Sequence, residues 1–174
     1  MTLKDIAEKT VSFLGITLDF SQTGAEQTFV TTCVKDVLMR LTGEMVDVWK
    51  KKSVATSTGT IPFSSVDADY KRALSVSKNG KKVSFGETSE GLQVGESGTY
   101  DVTYAYFVRP TTLLATIDLL PKYSAHVLAL GAAGEYCYRK GLYKESETYD
   151  ERFLAAVRTL EKVVKNVTLK AVNE

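Results

Sequence analysis

Between Gly98 and Pro110 apolar side chains recur at every second position, Tyr100, Val102, Tyr104, Tyr106 and Val108, separated by Asp101, Thr103, Ala105 and Phe107. A strand puts every second side chain on one face, so this segment reads as a strand with a buried face that needs a sheet to lie in. Pro110 should end it, because proline has no N–H to give to a ladder. On both sides of this region the apolar spacing is three to four instead. A chain that changes period twice combines a sheet with helices supplied by both of its ends.

Residues 1–43 read as two helices. Thr2 can cap the first, whose apolar positions are Leu3, Ile6, Thr10, Phe13 and Leu14, and Gly15 ends it as a residue at ease in the left-handed conformation. The second carries Phe29, Val30, Cys33, Val34, Val37, Leu38 and Leu41 along one face. Residues 113–165 are helical again. Pro121 suits a helix start. The stretch 127–134 is apolar almost all round and includes Gly131 and Gly134. A glycine costs a helix about 1 kcal/mol relative to alanine, so these two imply close packing that compensates. After Gly141 a last helix spaces Ser146, Tyr149, Phe153, Val157, Leu160 and Val164 three or four apart, with acids early and bases late, as the helix dipole favours. Residues 166–174 are expected to be a flexible tail.

The middle part, 44–112, contains a hairpin signal at Asn79-Gly80. A two-residue turn there sets Val76 opposite Val83, Ser75 opposite Ser84 and Leu74 opposite Phe85, with the apolar pairs on one face. Gly91-Leu92-Gln93-Val94 reads as a short strand, and Met45–Trp49 and Thr60–Phe63 as two more. The expected fold class is α+β. Two N-terminal helices and a C-terminal αα-hairpin build one bundle from both chain ends, and an antiparallel β module is inserted between them, all within one domain.

Charge and cysteine content limit the function classes. Lys plus Arg number 22 and Asp plus Glu 21, so the net charge is +1. A dedicated nucleic-acid or membrane-surface binder would carry a basic excess. The apolar run 123–134 is far below the ~20 residues a spanning helix needs. The first eight residues include Asp5 and Glu8, unlike a secretory leader. Cys33 and Cys137 therefore read as buried thiols in a reducing compartment.

Nothing converges as catalytic chemistry does. His126 is the single histidine and reads as a partly buried helix residue. Cys137 lies about 16 Å from it along the same helix, out of reach for a nucleophile–base pair. Asp67 and Asp69 form a DxD pair better read as a polar turn, and Gly91, Gly95 and Gly98 match no phosphate-binding fingerprint. No catalytic residue, metal ligand or cofactor is expected. Two basic clusters remain, Lys50, Lys51 and Lys52, and Lys78, Lys81 and Lys82 around the hairpin turn. Their plain reading is protection of strand edges; the sharper one is a patch for DNA or an acidic partner.

The order of the segments is itself informative. A short helix pair is followed by a β insertion that closes with Gly98-Thr99-Tyr100-Asp101-Val102-Thr103-Tyr104-Ala105-Tyr106 and soon meets a proline. Then come Leu119-Leu120-Pro121-Lys122-Tyr123, the small-residue stretch from Leu128 to Cys137, Gly141-Leu142-Tyr143, and a helix with the step Tyr149 to Phe153. Over about residues 3–165 this resembles the head–tail connector, or adaptor, proteins of tailed bacteriophages. Each motif is loose, and their order carries the likeness.

That resemblance implies a structural virion subunit at the head–tail interface, assembled in the host cytoplasm. It implies a homo-oligomeric ring, commonly of twelve copies, docked on the portal protein and followed by a stopper or tail protein. DNA would pass through the ring without being gripped, and no membrane would be involved. The C-terminal helix and tail from Val163 to Glu174 would reach the portal, which makes Val163, Val164, Lys165, Val167, Leu169 and Val172 the expected contacts. Independently, Val167, Leu169 and Val172 are spaced so that an extended tail could add to a partner as a strand. The rival readings are a tail-completion or stopper protein, and a small β-module protein that binds a carbohydrate or peptide through Trp49 and Tyr70. An enzyme is the remotest class.

Overall fold

The elements follow the order the changes of period require. They are α1 (Leu3–Leu14), α2 (Ala25–Arg40), a π-type turn (Leu41–Met45), β1 (Val48–Thr56), β2 (Thr60–Ile61), the single-turn α3 (Phe63–Val66), β3 (Tyr70–Lys78), β4 (Lys81–Val83), β5 (Gly86–Thr88), β6 (Gly91–Gln93), β7 (Gly98–Tyr106), α4 (Ala125–Arg139) and α5 (Tyr143–Ala171). This computed structural model describes residues 1–117, 119 and 123–171, with side chains through 162. The fold class is the expected α+β. The chain forms two compact units: a helical one from Met1–Arg40 and Arg109–Glu174, and a β-rich one from Leu41–Val108.

In the helical unit, Thr2 and Asp5 cap α1 reciprocally. The Asp5 N–H donates to Thr2 Oγ1 at 3.2 Å, and the Thr2 N–H donates to the Asp5 carboxylate at 2.7 Å. Gly15 closes α1 at φ 67°. Two further first-turn donors, the N–H groups of Leu3 and Lys4, reach the carbonyls of Ala115 and Leu113 at 3.3 and 2.8 Å. The Ile117 N–H donates to Met1 O at 2.9 Å. The segment entering the C-terminal half is thus hydrogen-bonded to the chain's start, and it satisfies backbone groups that a helix N-terminus cannot satisfy itself.

Helix α4 is the centre of this unit and packs against α1, α2 and α5. From Leu128 to Gly134 every residue is buried, as is Cys137. A Cβ added at Gly131 would lie 2.8 Å from Val37 Cγ1 of α2 and 3.1 Å from the Phe153 ring of α5. At Gly134 it would lie 3.3 Å from the Asp150 backbone nitrogen, and the Ser146 hydroxyl donates to the Gly134 carbonyl at 2.9 Å. Both glycines therefore sit where neighbouring helices touch the α4 backbone. In α5, Phe153 and Val157 are buried, and Ser146, Tyr149 and Leu160 are half-buried.

The expected helix start at Pro121 lies outside the described residues. Helix α4 begins at Ala125, where the Ser124 hydroxyl accepts from the Val127 N–H at 3.4 Å. At the other end, α5 continues to Ala171, so residues 166–171 are helical rather than an irregular or extended tail.

The β-rich unit is organised by β7, the central strand of a four-stranded sheet with order β1-β7-β3-β4. Its face of Tyr100, Val102, Tyr104 and Tyr106 is buried, as the alternation requires. Strands β2, β6 and β5 form a second, three-stranded sheet. The Asn79-Gly80 turn has both residues at positive φ, 52° and 75°, and pairs Val76 with Val83.

Beyond that pair the expected register fails. Strand β4 ends at Val83, so Leu74 does not face Phe85 and Ser75 does not face Ser84. The cause lies on the other side of β3, where register shifts against β7 occur between Tyr70 and Arg72 and between Ala73 and Ser75. Each sets an extra β3 residue against β7, which bends the strand and resets its alternation. Leu74 is displaced outward and is half-exposed in consequence. The expected strand at 45–49 is a π-type turn followed by the start of β1, and the one at 60–63 is only Thr60–Ile61 before α3 begins.

Replacing Gly131 with alanine should lower stability by about 1–3 kcal/mol, because overpacking against Val37 and Phe153 exceeds the gain in helix propensity. Urea unfolding measures this. A G131A protein as stable as the parent would contradict the close approach.

Candidate functional site

The six lysines singled out from sequence are not one patch. Lys50, Lys51 and Lys52 lie on β1 and Lys81 and Lys82 on β4, the two opposite edges of the four-stranded sheet. Three strand spacings of ~4.8 Å put those edges about 14 Å apart. Strand geometry also sends Lys50 and Lys52 to one face and Lys51 to the other.

Most of these ammonium groups already have occupations. Lys50 Nζ stands 4.3 Å from the centroid of the Tyr106 ring. Lys51 pairs with Asp101 at 2.9 Å. Hydrogen bonds from Ser53 and then Lys51 hold the Asp101 carboxyl below the usual carboxylate range. Lys52 Nζ donates to the Ser65 and Val66 carbonyls at 2.9 Å each, at the end of α3. Lys78 donates to Glu96 at 3.2 Å and to the Ser97 carbonyl at 3.0 Å. Lys81 and Lys82 are exposed, with no ion pair among the described residues.

Of the expected tail contacts, the side chains of Val163, Val164, Lys165, Val167 and Leu169 lie outside the described residues, as does the whole of Val172. The backbone of 163–171 is the last part of α5.

The other candidates have structural surroundings. His126 is exposed on α4 rather than partly buried, and its ring meets Phe13 edge to face with centroids 5.0 Å apart. Burial alone would raise the Asp67 carboxyl, but hydrogen bonds from the Asp69 N–H at 2.9 Å and the Tyr104 hydroxyl at 2.8 Å outweigh it and lower its pKa. Among the described residues no three His, Cys, Asp or Glu side chains converge as a metal site would need. Tyr70 is stacked on Phe63 with centroids 4.7 Å apart, and its hydroxyl donates to Glu87 at 2.5 Å. Trp49, by contrast, is 59% exposed on β1.

A feature not legible from motifs lies at the α4–α5 turn. Tyr138, Leu142 and Tyr143 are 61%, 46% and 66% exposed, three large apolar side chains within six positions. The two tyrosine rings meet edge to face at 5.8 Å. They border an open groove of about 490 Å³ lined also by Arg40, Glu135, Glu147 and Asp150. Arg40 is bound to Asp150 at 2.5 Å, and Arg139 to Glu135 and Asp36 at 2.6 Å each. Concentrated exposed apolar surface of this kind marks contact sites. No local signal marks them: Tyr138 lies four residues after the buried Gly134 and Tyr143 three before Ser146, positions that helical spacing assigns to the packed faces.

No protein-family model matches this chain, and no curated protein matches it in sequence. No helix among the described residues is long and apolar enough to cross a membrane.

Both cysteines are buried and unpaired. Burial pushes the Cys33 thiol from its ordinary 9.0 up to about 11, and raises Cys137 as well. The folded chain therefore keeps a Cys33 proton that the unfolded chain releases. Stability from this source is complete below pH 9 and is lost as the pH rises towards 11. Cys33→Ala should flatten that alkaline loss in denaturant titrations, and an unchanged slope would contradict it.

Proposed function

We propose that this protein is a structural virion subunit, a head–tail connector that docks on a portal and links capsid to tail. The observation that carries the reading is the arrangement of the chain. Both ends contribute to one helical unit, and a contiguous β unit, Leu41–Val108, is inserted between α2 and the segment leading to α4. That is the order on which the resemblance to connector proteins rests, and the expected fold class depends on the same order.

In this role α5 reaches the portal through its last turns and residues 166–174, and the β unit meets the stopper or tail protein. Copies associate as a ring, commonly of twelve, through heterologous contacts in which one surface meets a different surface of the neighbour. DNA passes through without being held. The net charge of +1 supports that, and so does the engagement of Lys51, Lys52 and Lys78 with acceptors of their own chain.

A second reading is favoured by one observation, the exposure of Trp49. An exposed tryptophan on a sheet suits a carbohydrate or peptide ligand. Because Trp49 is the single tryptophan, its fluorescence would report such a ligand directly.

Electron microscopy of the purified protein with and without the portal of the same virion tests the main reading. Rings seated on the portal are expected, and a protein that never associates with portal would overturn it. Deleting residues 166–174 should leave thermal unfolding within a few degrees of the parent and abolish portal capture. Undiminished capture would remove the tail from the portal contact.

A further inference from the structure

The β-rich unit carries a cation cluster that its own fold does not neutralise. The Asn79-Gly80 turn brings Lys78 directly opposite Lys81 in the ladder, and like charges in that position repel. Lys78 relieves part of this by turning to Glu96 and to the face of Tyr100, 5.3 Å away. Lys81 and Lys82 stay in solvent at the tip of a turn whose backbone is fixed in the left-handed region at both residues.

The helical unit carries the complementary feature. The groove beside the α4–α5 turn is lined by Glu135, Glu147 and Asp150; Arg139 pairs with Glu135 and Arg40 with Asp150, which leaves the Glu147 carboxylate uncompensated. Glu147 is exposed and has no ion pair among the described residues. Two exposed tyrosine rings border the carboxylates. An aromatic face beside a carboxylate binds an ammonium group well, and this chain uses the combination internally: Lys140 Nζ lies 4.7 Å from the Phe29 ring and 3.2 Å from Glu26. The base of the groove is set by the Ser146–Gly134 hydrogen bond, so it is formed before anything docks.

We propose that the Lys81–Lys82 tip of one copy docks in the Tyr138–Tyr143 groove of a second copy. The Lys82 ammonium lies over the tyrosine rings and pairs with Glu147. Tip and groove are different surfaces, so the contact is heterologous and repeats from copy to copy. The inference rests on the assembly reading above and supplies the pair of surfaces through which copies meet.

Sedimentation velocity on the full chain tests it. Association should strengthen with protein concentration and weaken as salt is raised. Glu147→Lys and Lys82→Glu should each weaken the dissociation constant about tenfold or more, as reversal of a close interfacial charge does. The doubly changed protein, E147K with K82E, should recover most of that loss, a recovery that a folding defect cannot produce. Tyr143→Ala should weaken association with unchanged thermal unfolding. A protein that stays monomeric at every concentration and low salt would overturn the proposal, as would association indifferent to the reversals or losses that add in the double variant. The two readings fail separately. Portal-bound rings unaffected by the reversals would sink this contact alone, whereas charge-reversible self-association without portal binding would sink the connector reading alone.

Discussion

The helical unit depends on how closely three helices approach at Gly131. With no side chain there, Val37 of α2 and Phe153 of α5 rest against the α4 backbone itself. Gly134, one turn later, lets α5 come near enough for Ser146 to hydrogen-bond an α4 carbonyl. Interaxial distances at such contacts lie at the short end of the 8–10 Å range. The helical cost of the two glycines is offset by dispersion contacts that a longer separation would forfeit. The core positions of α1 and α2 are ordered around that fixed centre, including the buried Cys33 thiol on α2.

Where sequence and structure agree, the reason is local. The Thr2 cap, the Gly15 stop, the apolar stripe of α2 and the Asn79-Gly80 turn each depend on residues a few positions apart. The buried face of β7 was legible because a central strand must keep strict alternation to fit neighbours on both sides. Where they differ, the reason is tertiary. The run Lys50-Lys51-Lys52-Ser53 hides β1, because an edge strand can tolerate charge on both faces. The two bulges of β3 arise from its pairing with β7, some thirty residues away, and nothing within β3 announces them.

The candidate surfaces divide along the same line. The lysine clusters were visible as composition, but their partners were not: Lys52 finds carbonyls of α3, and Lys78 finds Glu96 across the sheet. Three-dimensional placement turns most of an apparent basic patch into internal structure and leaves the hairpin tip as its exposed remainder. Tyr138 and Tyr143 are the reverse case. Individually they are unremarked residues near a glycine turn, and only the antiparallel packing of α4 on α5 brings their rings together beside three carboxylates.

The interrupted sequence of the helical unit also bears on how the chain emerges during synthesis. Leu41–Val108 is contiguous and can acquire all its internal pairings as soon as β7 has been made. Helices α1 and α2 must wait for α4. About 85 residues separate Arg40 from Ala125, which at 5–20 residues per second is on the order of ten seconds of translation. Through that interval the stripe of Val30, Val34, Val37 and Leu38 has no α4 to cover it. The nascent polypeptide is then at its stickiest while the later half is still on the ribosome, and a chaperone would find its natural client in that half-made state.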